Sequence, residues 1–346
     1  MSNDLRHGGA RRAGRARVAL SIGIAAGLGA AASEAAEFKL GYSVGFLTDP
    51  FQAIQVDLTM AEAEKAGLET LPVANANGDA GKQITDFHNL IAQGAEGIIV
   101  VPTDSDAIAP ALAHAASQNV PVVAIDIGPA GGEVAMIVRA DNVRMGEDAC
   151  QQMGEALGGE GTVLSMMGDQ ATTNGRDRTS GFNACMAERF PEIEVIEQPT
   201  YWKTDRATSV AQTVVTSTPD LAGIYMQSDA VMLAGVLNVL KSADRLTNVG
   251  EPGHIYLISI DGTPFALEKI REGLLDAAIS QPLDLYVKYG LLYLEDAVAG
   301  KSFSAGPTDH DSRVEEFNGN LMDLLPAPIV TPANVDDDKL WGNQVK

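Results

Sequence analysis

Residues 38–51 read FKLGYSVGFLTDPF, and the change of character within them decides the fold. Lys39 to Phe46 is strand-like, and Asp49-Pro50-Phe51 then opens a helix. Proline suits a first helical position because its fixed φ is already helical and its missing N–H had no partner to lose. The same alternation continues outward through Thr70 to Ala74, a helix over 79–93, the apolar strand Gly97 to Val101, a helix over 106–118, and strands at 120–125 and 134–138. It then repeats, with strands at 162–166, 194–197, 223–226, 255–260 and 277–280 and helices between them. Short apolar strands alternating with amphipathic helices predict parallel sheets covered on both faces, so the fold class is α/β with two similar doubly wound lobes. No Pro- or Ser-rich linker separates the halves, which predicts a closely apposed pair. After a helix over 283–298 the periodicity is lost, and the tail is expected to lie extended along both lobes, or to be disordered beyond Val330.

The first residues read as a targeting segment. Arg6, Arg11, Arg12, Arg15 and Arg17 precede an uncharged run from Val18 to Ala32, and Ser33 and Ala35 fit a small-residue cleavage site. The apolar run is shorter than the ~20 residues that a membrane span requires, so residues 1–35 are expected to be a cleavable signal peptide with no membrane insertion. The formal net charge of −22 argues against nucleic acid and anionic lipid as partners. The remaining length exceeds what one hydrophobic core usually supports, again predicting two lobes.

In doubly wound sheets, ligands sit beyond the carboxyl ends of the strands. Those ends present Asp49, Asp126, Ser228-Asp229, Asp261-Gly262-Thr263 and Gln281. A single Asp at such a place is more often a helix N-cap or turn residue. Recurrence at five strand ends is the informative pattern.

Asp49-Pro50-Phe51, Val101 through Ala107 (VPTDSDA), Ala140-Asp141-Asn142, Arg176-Asp177-Arg178 with Gly181-Phe182, Gln227-Ser228-Asp229 and Ile260 through Pro264 (IDGTP) together resemble the ribose-binding branch of the periplasmic sugar-binding proteins. The resemblance runs from Lys39 to about Leu325. It implies the type I periplasmic binding fold, two lobes joined by a three-strand hinge with crossings near Asp141, Gln281 and 310–317. It divides the chain into an N-terminal lobe (36–141 plus 282–312) and a C-terminal lobe with tail (142–281 plus 313–346). Ligand contact falls by the same resemblance to Asp49, Phe51, Gln52, Asp126, Arg178, Trp202, Ser228, Asp261 and Gln281. The chemistry suits a polyhydroxylated molecule: carboxylates supply acceptor pairs, Arg a rigid donor fork, Gln both kinds, and Phe51 and Trp202 flat apolar plates. Four departures, Gln52, Val101, Ile127 and Ser228, point away from ribose itself and toward another neutral sugar or a polyol.

The implied function is capture of that solute in the periplasm for an ABC permease and its ATPase, by a protein expected to be a monomer without cofactor. A periplasmic sensor for a chemoreceptor or kinase would share the binding step. Against an enzyme, no H-E-x-x-H, C-x-x-C or P-loop occurs, although Asp49 and Asp261 are a formal carboxylate pair for glycoside chemistry. A sugar-responsive gene regulator would begin with a helix-turn-helix and a basic face. The scattered histidines do not suggest a metal site. Cys150 and Cys185 fall on predicted second-lobe helices, where they either pair or remain two buried thiols.

Overall fold

A computed structural model describes residues 38–345, so the signal peptide read at residues 1–35 lies outside the described residues. The first lobe begins with β1 (Lys39–Val44), α1 (Pro50–Lys65), β2 (Glu69–Thr70), β3 (Ala74–Asn75), α2 (Ala80–Ala92), β4 (Gly97–Val100), α3 (Ala109–Ser117), β5 (Val122–Ile125) and β6 (Met136–Ala140). The chain then crosses to the second lobe: α4 (Asn142–Ala156), β7 (Glu160–Met167), α5 (Thr173–Arg189), β8 (Glu192–Pro199), α6 (Thr204–Ser217), β9 (Leu221–Met226), α7 (Asp229–Ser242), β10 (Tyr256–Asp261), α8 (Pro264–Arg271) and β11 (Ala277–Ser280). It returns through α9 (Leu283–Val298), β12 (Gly306–Pro307), β13 (Arg313–Phe317) and β14 (Asn320–Leu325), and ends on the second lobe with β15 (Ile329–Val330) and α10 (Trp341–Gln344).

In the first sheet the parallel strands run β2-β1-β4-β5-β6, and in the second β8-β7-β9-β10-β11. Both orders reverse beside their first strand, which makes the lobes topological repeats of one doubly wound unit. The central strands β4, β5, β6 and β11 are buried along their whole length, as parallel strands covered on both faces must be. Helix starts follow local chemistry. Asp49, Asp79, Asp141, Thr172 and Thr263 each accept a backbone N–H at the opening of α1, α2, α4, α5 and α8. The segment read as one strand over 70–74 is two short pieces, β2 and β3, pairing with β1 on either side of Pro72, which has no N–H to give.

The tail requires a correction. Residues 313–325, assigned to the C-terminal lobe in the sequence reading, belong to the first sheet. There β14 runs parallel to β6 with Met322 opposite Ile137, and β13 folds back antiparallel on β14. The third crossing is therefore Pro326-Ala327-Pro328 and not 310–317. The turn is Asn318-Gly319, with φ of 49° and 82°, the two-residue hairpin connection whose positive φ values match the twist of the flanking strands. Beyond it, β15 pairs antiparallel with β11, and Trp341 is buried. Among the described residues no helix is long and apolar enough to cross a membrane.

Candidate functional site

The residues that follow the carboxyl ends of the strands meet between the lobes. A small cavity is lined by Asp49, Phe51, Gln52, Asp126 and Ile127 from the first lobe, by Asn174, Arg178, Trp202, Ser228 and Asp261 from the second, and by Gln281 at a crossing. All nine residues expected at the site line this one cavity, together with Ile127 and Asn174. The lobes also bond directly around it. Asn174 Nδ2 donates to Asp126 Oδ1 at 2.8 Å, Arg139 Nη2 to Asn174 Oδ1 and Asp177 Oδ2 at 2.9 Å, and Ser105 N to Ala171 O at 3.0 Å. The arrangement is thus a closed one.

Three lining residues hold unusual backbone: φ is 62° at Asp126, 55° at Trp202 and 120° at Asp261. Such conformations cost about 1–3 kcal/mol each and persist only where the surroundings impose them. At Asp261 the support is visible. Buried Asp229 accepts Gly262 N at 2.8 Å and Thr263 Oγ1 at 2.6 Å, fixing the loop that follows β10. Asp261 itself accepts Ser228 Oγ at 2.6 Å, Ala230 N at 3.2 Å and Gln281 Nε2 at 2.8 Å. Part of the hydrogen-bonding capacity of Ser228 and Gln281 is therefore spent on aiming Asp261. Gln52 likewise accepts Phe46 N at 2.9 Å.

Among the described residues, Arg178 is the only cation lining the cavity. Its Nε donates to Asn142 Oδ1 at 2.7 Å, its Nη1 donates to Gln227 O at 2.5 Å and lies 3.9 Å from Asp261 Oδ1, and its guanidinium sits 5.7 Å from the Trp202 ring centre. Nη2 is buried without a hydrogen-bond partner, an arrangement that costs free energy unless a ligand acceptor meets it. Facing this single cation are Asp49, Asp126 and Asp261. Burial, reinforced by the charge of Asp261, pushes Asp49 up to about 7 against the support of Phe51 N. Burial also raises Asp126 to about 6, with Arg178 opposing the shift, and raises Asp261 against the same guanidinium. The set offers acceptor oxygens, one donor fork and two aromatic plates, which is the equipment for gripping hydroxyls and C–H faces. Among the described residues no group of three or more His, Cys, Asp or Glu could hold a metal ion.

Asn174 was missed by sequence reasoning, although it lies one helical turn before Arg178 and so shares its face. Cys150 and Cys185 meet across the α4–α5 contact as a disulfide, with Cα atoms 6.1 Å apart.

Two doubly wound lobes, three crossings and a polar cavity at the facing strand ends define the class of two-lobed solute-binding proteins. A profile described as "Periplasmic binding protein domain" matches residues 40–302, and the chain belongs to that family. It is 29% identical over 265 residues to a ribose import binding protein of Bacillus subtilis (strain 168), covering 77% of this chain and 83% of that one. It is also 29% identical over 253 residues to a xylitol-binding protein of Mycolicibacterium smegmatis, covering 70% of each. Among solved structures, the Caulobacter myo-inositol binding protein bound to myo-inositol is similar with a TM-score of 0.75 and 25% identity, covering 86% of this chain and 94% of that one.

Proposed function

We propose that this chain is the periplasmic binding component of an ABC importer and that it takes a neutral monosaccharide or polyol between its lobes. The observation that carries the reading is the convergence of side chains from both lobes, distant in sequence, on one small polar cavity. A ligand that touches both lobes at once selects the closed state, since only differential contact shifts such an equilibrium. Asp49, Asp126 and Asp261 accept ligand hydroxyls in this reading, the free Nη2 of Arg178 donates, and Phe51 and Trp202 cover apolar faces. The chain acts as a carrier and not as an enzyme, and the closed form is the one the permease and its ATPase receive. A cleavable leader delivers it to the periplasm. Three carboxylates around one guanidinium disfavour sugar acids and sugar phosphates, because like charges in a desolvated cleft are costly. Ile127, aliphatic beside Asp126, removes polar capacity from one wall and favours a polyol over ribose. The relatives named for xylitol and myo-inositol support the same choice.

A thermal-shift panel of xylitol, myo-inositol, ribose and gluconate tests this. A bound polyol at a hundred times its Kd contributes about 2.7 kcal/mol, which for a protein of this size moves the midpoint by roughly 5 °C. Stabilisation by ribose with no response to either polyol would sink the polyol reading. A response to gluconate alone would sink the neutral-ligand reading.

A further inference from the structure

Trp341 lies outside the family match and does not line the cavity, yet it touches two residues that do. The segment carrying it is fastened to the second lobe. Arg271 Nε bonds Asp336 Oδ1 at 2.7 Å and its Nη2 bonds Val335 O at 3.0 Å and Asn343 Oδ1 at 2.7 Å, while Val335 and Leu340 enter the second-lobe core. Gly342 seats the segment on the loop after β10: a Cβ there would fall 2.4 Å from Gly262 O, so no larger residue permits this approach.

From that anchor the indole reaches both sides of the cleft. Its Nε1 donates to Asp261 O at 3.0 Å, a carbonyl that also accepts Gln281 N at 3.0 Å. Because Asp261 holds a φ of 120°, the direction of that peptide decides where its carboxylate points. The ring meets Phe51 edge to face, centroids 5.6 Å apart and planes at 88°, at the start of α1 on the first lobe. We infer that Trp341 is a positioning residue that holds Asp261 of one lobe and Phe51 of the other in register from behind the cavity, and thereby sets ligand affinity and the balance between open and closed lobes. The affinity half of this statement rests on the reading given under Proposed function. The positioning half does not.

The test compares the full chain with Trp341→Phe, which keeps a ring and loses the donor, and Trp341→Leu, which loses both. Hydrogen exchange at 261–263 and 281 is expected to accelerate in both variants, and exchange at 51–53 in Trp341→Leu, while the centres of β4 and β9 stay protected. Xylitol affinity by calorimetry is expected to fall at least threefold in Trp341→Phe and tenfold or more in Trp341→Leu. Should Trp341→Leu fail to fold, Trp341→Phe decides alone. Unchanged exchange at 261–263 and 281 in Trp341→Phe overturns the positioning role, with or without ligand. Faster exchange with unchanged xylitol affinity overturns the affinity half. If wild-type protein ignores xylitol, that counts against the ligand reading and exchange still decides the positioning role.

Discussion

Replacing Arg178 with Met removes the cavity's single cation while keeping much of its volume. The side chain is 2% exposed and its Nη2 is buried without a hydrogen-bond partner; the proposed function gives that donor to the ligand. A hydrogen bond involving a charged group contributes about 1.5–3 kcal/mol net. At 1.4 kcal/mol per decade, the loss corresponds to a roughly 10- to 150-fold rise in Kd. The substitution also leaves Gln227 O and Asn142 Oδ1 without their donor, costing about 1–3 kcal/mol of stability each. The sum is a large share of a total of about 5–15 kcal/mol, so the melt is measured before the affinity. Isothermal calorimetry with the polyol that gives the largest thermal shift measures the first effect, and circular dichroism through a melt measures the second. Arg178→Lys keeps the charge without the fork and is expected to fall between wild type and Met. A folded Arg178→Met protein that binds within threefold of wild type would refute the assignment of Arg178 to the ligand.

Asp49 and Asp126, raised to about 7 and about 6 from 3.8, make stability depend on pH. A carboxyl with a raised folded-state pKa contributes stability that is full below its unfolded value and is lost as pH climbs through its folded value. The ligand-free protein is therefore expected to melt at a higher temperature near pH 5 than near pH 8, and Asp49→Asn to flatten that difference; equal slopes in both proteins would contradict the buried environment of Asp49. The Cys150–Cys185 bridge closes a loop of sequence separation 35. Its removal by a double Ser substitution is expected to cost about 3–4 kcal/mol on the chain-entropy account, read by urea denaturation, and two alkylatable thiols in the unfolded, unreduced protein would show that no bridge exists.

Much of this organisation is written locally. Alternating strands and helices follow from hydrophobic period and caps, and the site's acidic and amide groups stand at strand ends where the doubly wound fold must bring them together. What escaped was set by long-range pairing. The hairpin β13–β14 had a local signal in Asn318-Gly319, but only docking beside β6 tells which lobe it joins. Its short partly buried strands look like an aperiodic tail without that neighbour. Trp341 was equally illegible: its partners are Asp261 O, 80 residues away, and Phe51, and no spacing rule connects them. Asn174 was within reach, one turn from Arg178, but its value lies in bridging to Asp126 and Arg139 across the cleft.

The insertion of β14 beside β6 has a consequence for biogenesis. Val134 N bonds Asn320 Oδ1 across a sequence separation of 186, so the first sheet waits for residues synthesised long after its other parallel strands. The delay lasts until residues 320–325 have been delivered and have docked. Throughout it β6 is an open edge, its backbone donors and acceptors unclaimed and free to pair with any passing strand. The C-terminal hairpin thus acts as the closing piece of the first lobe, capping an edge that would otherwise stay sticky.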